Sequence, residues 1–217
     1  MNKLVIFDLD GTLCDTLLDI EYYANESLEK FGYATRSRKE IRDTVCLSIE
    51  EIFCLLMGEK KGSPIAKQAT EYYKKRIKED KSPRTKLFDG TDNLLATLKE
   101  KGYKLAILTN KSADETEVIY QRILAEFGFD EVIGLKEGVV AKPEPTEIFK
   151  LMEKFGADKQ NTYFVGDGDT DVLAALNADV NLITVTYGYR DKDYLQGLGA
   201  KVFADNPQEI LSLITKD

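Results

Sequence analysis

Short apolar runs recur along the chain at Leu4–Leu9, Lys104–Thr109, Thr162–Gly166, Leu182–Thr186 and Val202–Ala204. They are continuous rather than alternating, the pattern of strands covered on both faces, as parallel strands are. Segments with helical spacing lie between most of them. Thr91–Lys101 carries Leu94, Leu95 and Leu98 and stops at Gly102, and Glu144–Phe155 repeats Ile148, Met152 and Phe155 and stops at Gly156. Glycine just past a helix supplies the left-handed backbone that closes its last turn. Ile119, Ile123 and Phe127 mark a further helix, ended by Gly128. The predicted class is α/β, a doubly wound, mostly parallel sheet with helices on both faces.

One stretch breaks this rhythm. Between Asp15 and about Lys86 no strand pattern appears, but Leu17, Ala24, Leu28 and Phe31 fall at helical spacing. A later helix opens with Ser63-Pro64, a cap followed by proline in the first turn, and carries Ile65, Ala69, Tyr73 and Ile77 along one face. The pattern predicts a helical insertion directly after the first strand. The expected division is therefore 1–14 with 87–217 as one α/β unit and 15–86 as the insertion.

Composition narrows the chemistry. The 217 residues hold no histidine, which removes Ser-His-Asp triads, phosphohistidine intermediates and imidazole acid/base catalysis. The net charge of −8 argues against a nucleic-acid partner, because phosphate backbones demand concentrated Lys and Arg. The N-terminal residues Met1–Asp10 meet two aspartates too soon for a signal peptide or a membrane span, so a cytoplasmic location without membrane attachment is expected. Cys14, Cys46 and Cys54 form no CxxC pair and are expected as reduced thiols.

Carboxylates gather at predicted strand ends. Asp8 and Asp10 alternate onto one side where the first strand finishes, at the sheet edge where open α/β folds bind ligands. Two carboxylates so close need a shared proton or a cation. Asp167, Asp169 and Asp171 follow the strand ending at Gly166, and helical spacing returns Asp171 toward Asp167. Asp169 can equally cap that helix. Thr109 and Asn110 stand at a strand-to-helix junction able to hold a phosphate oxygen, although both types also cap helices. Lys142 lies in the proline-restricted loop Ala141-Lys142-Pro143-Glu144-Pro145.

Taken in order, Asp8–Thr12 (DLDGT), the strand end at Thr109, Lys142 before Pro143, and Gly166–Asp171 (GDGDTD) resemble the haloacid dehalogenase superfamily. Phe88-Asp89-Gly90 and the LAILTNK, KPEP and TYGYRD segments look most like its phosphoglycolate-phosphatase-like subgroup, whose helical cap matches the insertion. The resemblance implies a phosphomonoesterase in which Asp8 attacks phosphorus and Asp10 serves as acid and base. It further implies Mg²⁺ held by Asp8, Asp167 and the Asp10 backbone carbonyl with Asp171 in support, and Thr109, Asn110 and Lys142 on the phosphoryl group. A nucleotidase, pyrophosphatase or sugar phosphomutase of the same fold, or a non-catalytic binder of phosphorylated ligands, are the alternatives. The expected partner is a small phosphorylated metabolite, with the chain a monomer or homodimer. In the cap, Cys46 occupies the position where relatives commonly carry glycine, and Arg42, Thr44 and Ser48 are candidate selectors of substrate. Arg42 fits a surface ion pair as well. Tyr187, Tyr189 and Arg190 are candidates for the cap interface.

Overall fold

A computed structural model describes residues 2–45 and 47–215. Six strands form one sheet: β1 (Leu4–Phe7), β4 (Lys104–Ser112), β5 (Glu131–Leu135), β6 (Thr162–Gly166), β7 (Asn181–Val185) and β8 (Phe203–Ala204). Their order is β5-β4-β1-β6-β7-β8, and every neighbouring pair is parallel. The chain therefore leaves central β1 toward one edge and later returns to build the other. The reversal places a crevice beyond the carboxyl ends of β1, β4 and β6, where doubly wound folds take ligands.

Alternation along the strands splits the core into two layers. Val5 and Phe7 of β1, with Leu105, Ile107 and Val165, pack against α5 (Thr91–Glu100) and α9 (Pro207–Ile214) through Leu94, Leu98, Ile210 and Ile214. Leu4 and Ile6, with Ala106, Leu108 and Phe164, face α7 (Thr146–Phe155) and α8 (Asp169–Ala178) through Ile148, Leu151, Ala174 and Ala178. Both faces of β1 are thus covered, the reason its run is apolar throughout.

Residues 17–80 are helical wherever they are regular: α1 (Leu17–Lys30), α2 (Arg38–Arg42), α3 (Ile49–Met57) and α4 (Pro64–Asp80). They bury a cluster of their own around Tyr23, Leu28, Ile41, Phe53 and Tyr73, where the Phe53 and Tyr73 rings meet edge-on at 5.7 Å. A two-stranded antiparallel ladder joins this layer to the sheet, pairing β2 (Cys14–Asp15) with β3 (Lys86–Leu87). Buried Asp19 fastens the same junction by accepting from the backbone N–H groups of Arg84 (3.0 Å) and Thr85 (2.6 Å) and from the Thr85 hydroxyl (2.7 Å).

Several boundaries differ from the sequence reading. β1 ends at Phe7, because the chain turns immediately after it and the Leu13 and Cys14 amides both donate to the Leu9 carbonyl. β4 runs on to Ser112 through an irregularity after Leu108. β5 is an additional edge strand. The helix before Gly128 begins as α6 (Ala113–Ile119), passes through a π turn at Tyr120–Leu124 and ends as a short 3-10 turn. Cys14 and Cys54 are buried and unbridged, and Cys46 lies outside the described residues. No helix among the described residues is long and apolar enough to cross a membrane.

Candidate active site

Asp8 is the first residue past β1, and its amide still donates to the Val165 carbonyl of β6 at 2.9 Å. The ladder thereby sets the nucleophile candidate beside the end of β6, where Asp167 follows Gly166. The Asp8, Asp167 and Asp171 carboxylates, all buried, present one oxygen each within 4.8 Å of the others. Close backbone approach is required for this. At Gly11, whose φ is +79°, a β-carbon would strike the Asp167 carboxylate, and one at Gly166 would strike that of Asp171.

Each carboxylate is aimed by a separate contact. The Thr12 hydroxyl donates to Asp167 Oδ1 at 3.0 Å, and the Tyr189 amide donates to Oδ2 at 2.7 Å. Asp171, in the first turn of α8, accepts from the Gly168 amide at 2.9 Å. Gly168, not Asp169, is the cap residue of α8; Asp169 instead accepts from Arg190 Nε at 3.2 Å. Lys142 Nζ reaches both Asp8 (2.7 Å) and Asp171 (2.6 Å). Its loop is held by Asn110, whose side-chain amide donates to the Lys142 carbonyl and accepts from the Lys142 amide, each at 2.9 Å. Asn110 thus commits its side chain to placing Lys142.

Three carboxylates face one ammonium in this cluster, a surplus of two negative charges that one divalent cation would neutralise. All donors are hard oxygens, which suit a hard divalent cation and not a soft metal. Without that charge, burial and then the Asp171 and Asp10 carboxylates raise the Asp8 pKa to about 7 against the pull of Lys142. Burial, then Asp8 and Asp171, push Asp167 well up also. Burial alone would lower Lys142, but the Asp171 and Asp8 charges outweigh it and hold the ammonium protonated.

A carboxyl group with a raised folded-state pKa binds its proton more tightly folded than unfolded. The stability so gained is complete below the ordinary value of 3.8 and is lost as pH climbs through about 7. In EDTA the melting temperature is therefore expected to fall between about pH 5 and about pH 8, and a divalent cation bound by the three acids should abolish the fall. No histidine titrates in that window to confuse the measurement. A profile in EDTA that is flat or rising would contradict the crowding of these acids.

Asp10 stands apart from the cluster and faces the same cavity of about 450 Å³, together with Thr109, Asn110 and Lys142. Its Oδ2 accepts from Lys111 Nζ at 2.9 Å, while buried Oδ1 has no hydrogen-bond partner. Lys111 is a charged residue of the cavity wall that the sequence reading did not single out. Strand alternation puts it two residues from Thr109 and so on the same side, a signal available in the LTNK segment. Glu115, also on the cavity wall, is engaged by the Ser112 hydroxyl and adds its charge to the Asp10 charge in holding Lys111 protonated.

The candidates in the helical layer divide. Ser48 lines the cavity and caps α3, with its hydroxyl and Glu51 reciprocally bonded. Thr44 turns its hydroxyl inward to the Ile41 carbonyl at 2.6 Å. Arg42 pairs with Asp43 at 3.1 Å and lies outside the cavity wall. Arg190 is the arginine that reaches this loop, donating from Nη1 to the Asp43 carbonyl at 2.7 Å. Tyr189 lines the cavity and its hydroxyl accepts from the Thr16 amide at 2.8 Å, at the entry to α1. Tyr187 instead packs on Phe88, with ring centroids 4.7 Å apart and planes tilted by 57°, away from the cavity.

The family model for haloacid dehalogenase-like hydrolases matches residues 5–185, from β1 to the end of β7. The chain is 31% identical over 198 residues to the phosphoglycolate phosphatase of Haemophilus influenzae, covering 86% of this chain and 87% of that protein. It is 31% identical over 213 residues to the protein called "Probable phosphatase IndB" of Dickeya dadantii, covering 97% and 93%. The solved structure of a predicted phosphoglycolate phosphatase from Haemophilus somnus superposes with a TM-score of 0.88 at 25% identity, over 98% of this chain and 97% of that one. The matched span contains every acid of the cluster and the whole helical layer, and the chain belongs to the haloacid dehalogenase-like hydrolases, as a phosphatase of the phosphoglycolate-phosphatase-like subgroup.

Proposed function

We propose that the chain is a Mg²⁺-dependent phosphomonoester hydrolase that works through an aspartyl phosphate on Asp8, with a small phosphorylated metabolite of the phosphoglycolate kind as substrate. The observation that carries this reading is the buried Asp8–Asp167–Asp171 group, bridged by Lys142 and faced by Asp10 across one cavity. Asp8, Asp167 and Asp171, with the Asp10 carbonyl, would hold Mg²⁺, which supplies charge to offset repulsion between a carboxylate nucleophile and a phosphate dianion.

The chain's own groups carry the rest. An Asp8 oxygen attacks phosphorus as the bond to the leaving oxygen breaks, and Asp10 gives that oxygen its proton. Oδ1 is the Asp10 atom free to carry the proton, since Lys111 occupies Oδ2. Water then attacks the phosphoryl group, Asp10 takes up its proton, and the Asp8 carboxylate is released with inorganic phosphate. Lys142, the Thr109 hydroxyl and the Asn110 backbone N–H steady the phosphoryl oxygens, while the Asn110 side chain keeps Lys142 in place. Residues 15–86 act as a cap that closes on substrate and excludes bulk water. The net charge of −8 agrees with a small-molecule substrate in preference to nucleic acid.

Phosphate release from small phosphomonoesters, measured with Mg²⁺ and with EDTA, tests the reading. Release is expected to fall at least about a hundredfold in EDTA and to return when Mg²⁺ is restored in excess. Equal rates under both conditions would overturn the metal-dependent mechanism.

A further inference from the structure

The catalytic cavity does not end at Asp8 and Asp10. A second cavity of about 400 Å³ adjoins it, and Lys74, Ser112, Glu115, Leu135 and Lys136 line both. Lys74 belongs to α4 and Lys136 follows β5, so the passage between the cavities runs from the sheet layer to the helical layer. Lys75 and Lys78 extend the basic wall along α4. Lys74, Lys78 and Lys136 make no ion pair among the described residues, and Lys75 reaches only Glu79, at 3.7 Å. The lysines nearer the chemistry behave otherwise, since Lys111 and Lys142 are each bonded to aspartate. Lys74 is half-buried and Lys136 exposed, and with no carboxylate among the described residues within ion-pair distance both ammonium groups are open to an anion entering the passage. Glu115 is turned to Ser112, and Glu71 and Asp114 share the wall without pairing to these lysines. Between the lysines the lining is apolar, from Ile77, Val118 and Leu135.

We propose that this passage is a second anion subsite for the leaving group. The substrate then carries, beyond the phosphoryl group taken by Asp8, a carbon chain along Leu135 and a remote phosphate or carboxylate between Lys74 and Lys136. This rests on the phosphatase reading and defines its substrate class as phosphomonoesters of an alcohol bearing its own distant anion. An anion held from both layers binds best when they are together, so its binding energy favours the closed site.

Hexyl phosphate, hexanediol bisphosphate and the phosphate ester of hydroxyhexanoate separate the possibilities. Their kcat/KM values are expected to favour the two anion-tipped esters over hexyl phosphate by about tenfold, an advantage reduced at about 0.5 M salt. Which tip is preferred distinguishes phosphate from carboxylate. In the Lys74→Gln, Lys136→Gln double variant the anionic-to-neutral ratio should fall to near one. A wild-type ratio near one, or a ratio untouched in the double variant, overturns the subsite. Calorimetric binding of hexyl phosphate and hexanediol bisphosphate to Asp8→Asn protein, with and without the lysine changes, reads the same ratio without turnover. Absent hydrolysis with that affinity ratio intact overturns the phosphatase reading alone; a vanished affinity ratio with hexyl phosphate still hydrolysed overturns the subsite alone.

Discussion

Asp8→Asn is expected to lower kcat/KM for phosphomonoesters by about ten-thousandfold or more while raising the stability of the metal-free protein. Asparagine has the same shape, so no cavity opens among Phe7, Leu9 and Val165, and its Oδ1 can still accept from Lys142. What it lacks is a nucleophilic oxygen. It also lacks the charge whose burial, next to the Asp171 and Asp10 charges, raises the Asp8 pKa to about 7. Removing one of three crowded carboxylates relieves repulsion, so melting in EDTA should occur at a higher temperature than in wild type, most clearly near pH 8 where Asp8 is ionised. Single-turnover phosphate release and thermal melts check the two halves separately. Turnover within tenfold of wild type would remove Asp8 as the nucleophile, and a lower melting temperature at that pH would refute the electrostatic account.

The acids of this site are readable in the sequence because each belongs to a local pattern: Asp8 and Asp10 at the end of one apolar run, Asp167 and Asp171 in the turn after another. Their meeting follows from β1 and β6 being neighbours, as a doubly wound sheet with β1 at its centre requires. Lys142 and Thr109 have no such local signature and gain meaning only from their order along the chain. β5 was not legible. An edge strand is half-buried, so Glu131–Leu135 shows no unbroken apolar run, and Gly134 interrupts it. That glycine is there for packing, since a β-carbon would come within 2.7 Å of Thr116 Oγ1 and 2.8 Å of Ala113 Cα at the start of α6. Long-range partners were the other blind spot. Arg42 is spent on its neighbour Asp43, whereas Arg190, 147 residues away, makes the bond from the sheet layer to that loop. Nothing near either arginine distinguishes them before the two layers are set against each other.

Lys142→Met should produce the largest loss of stability of any change at the site that leaves its volume filled. Methionine occupies much of the lysine stem's space, so the cost is electrostatic. Among the described residues Lys142 is the ammonium within hydrogen-bond distance of Asp8 and Asp171, and both oxygens it serves are buried. Breaking a buried pair by deleting one partner typically costs about 3–5 kcal/mol, because the remaining charge is left uncompensated. Urea titrations in EDTA should show that loss. With Mg²⁺ it should shrink, since the cation restores the balance. Activity should drop about a hundredfold to a thousandfold even when Mg²⁺ saturates, through loss of a preorganised positive charge beside the phosphoryl oxygens. Lys142→Arg would not rescue it fully, because the planar guanidinium cannot bring one nitrogen to both oxygens at 2.6–2.7 Å as the ammonium does. The decisive measurement is the double-mutant cycle with Asp8→Asn. If Lys142 neutralises this cluster, removing the Asp8 charge must recover part of the stability lost in Lys142→Met, giving a coupling energy of about 1–3 kcal/mol in EDTA. Additive losses would mean that Lys142 supports the fold by packing alone, and its place in the phosphoryl site would have to be abandoned.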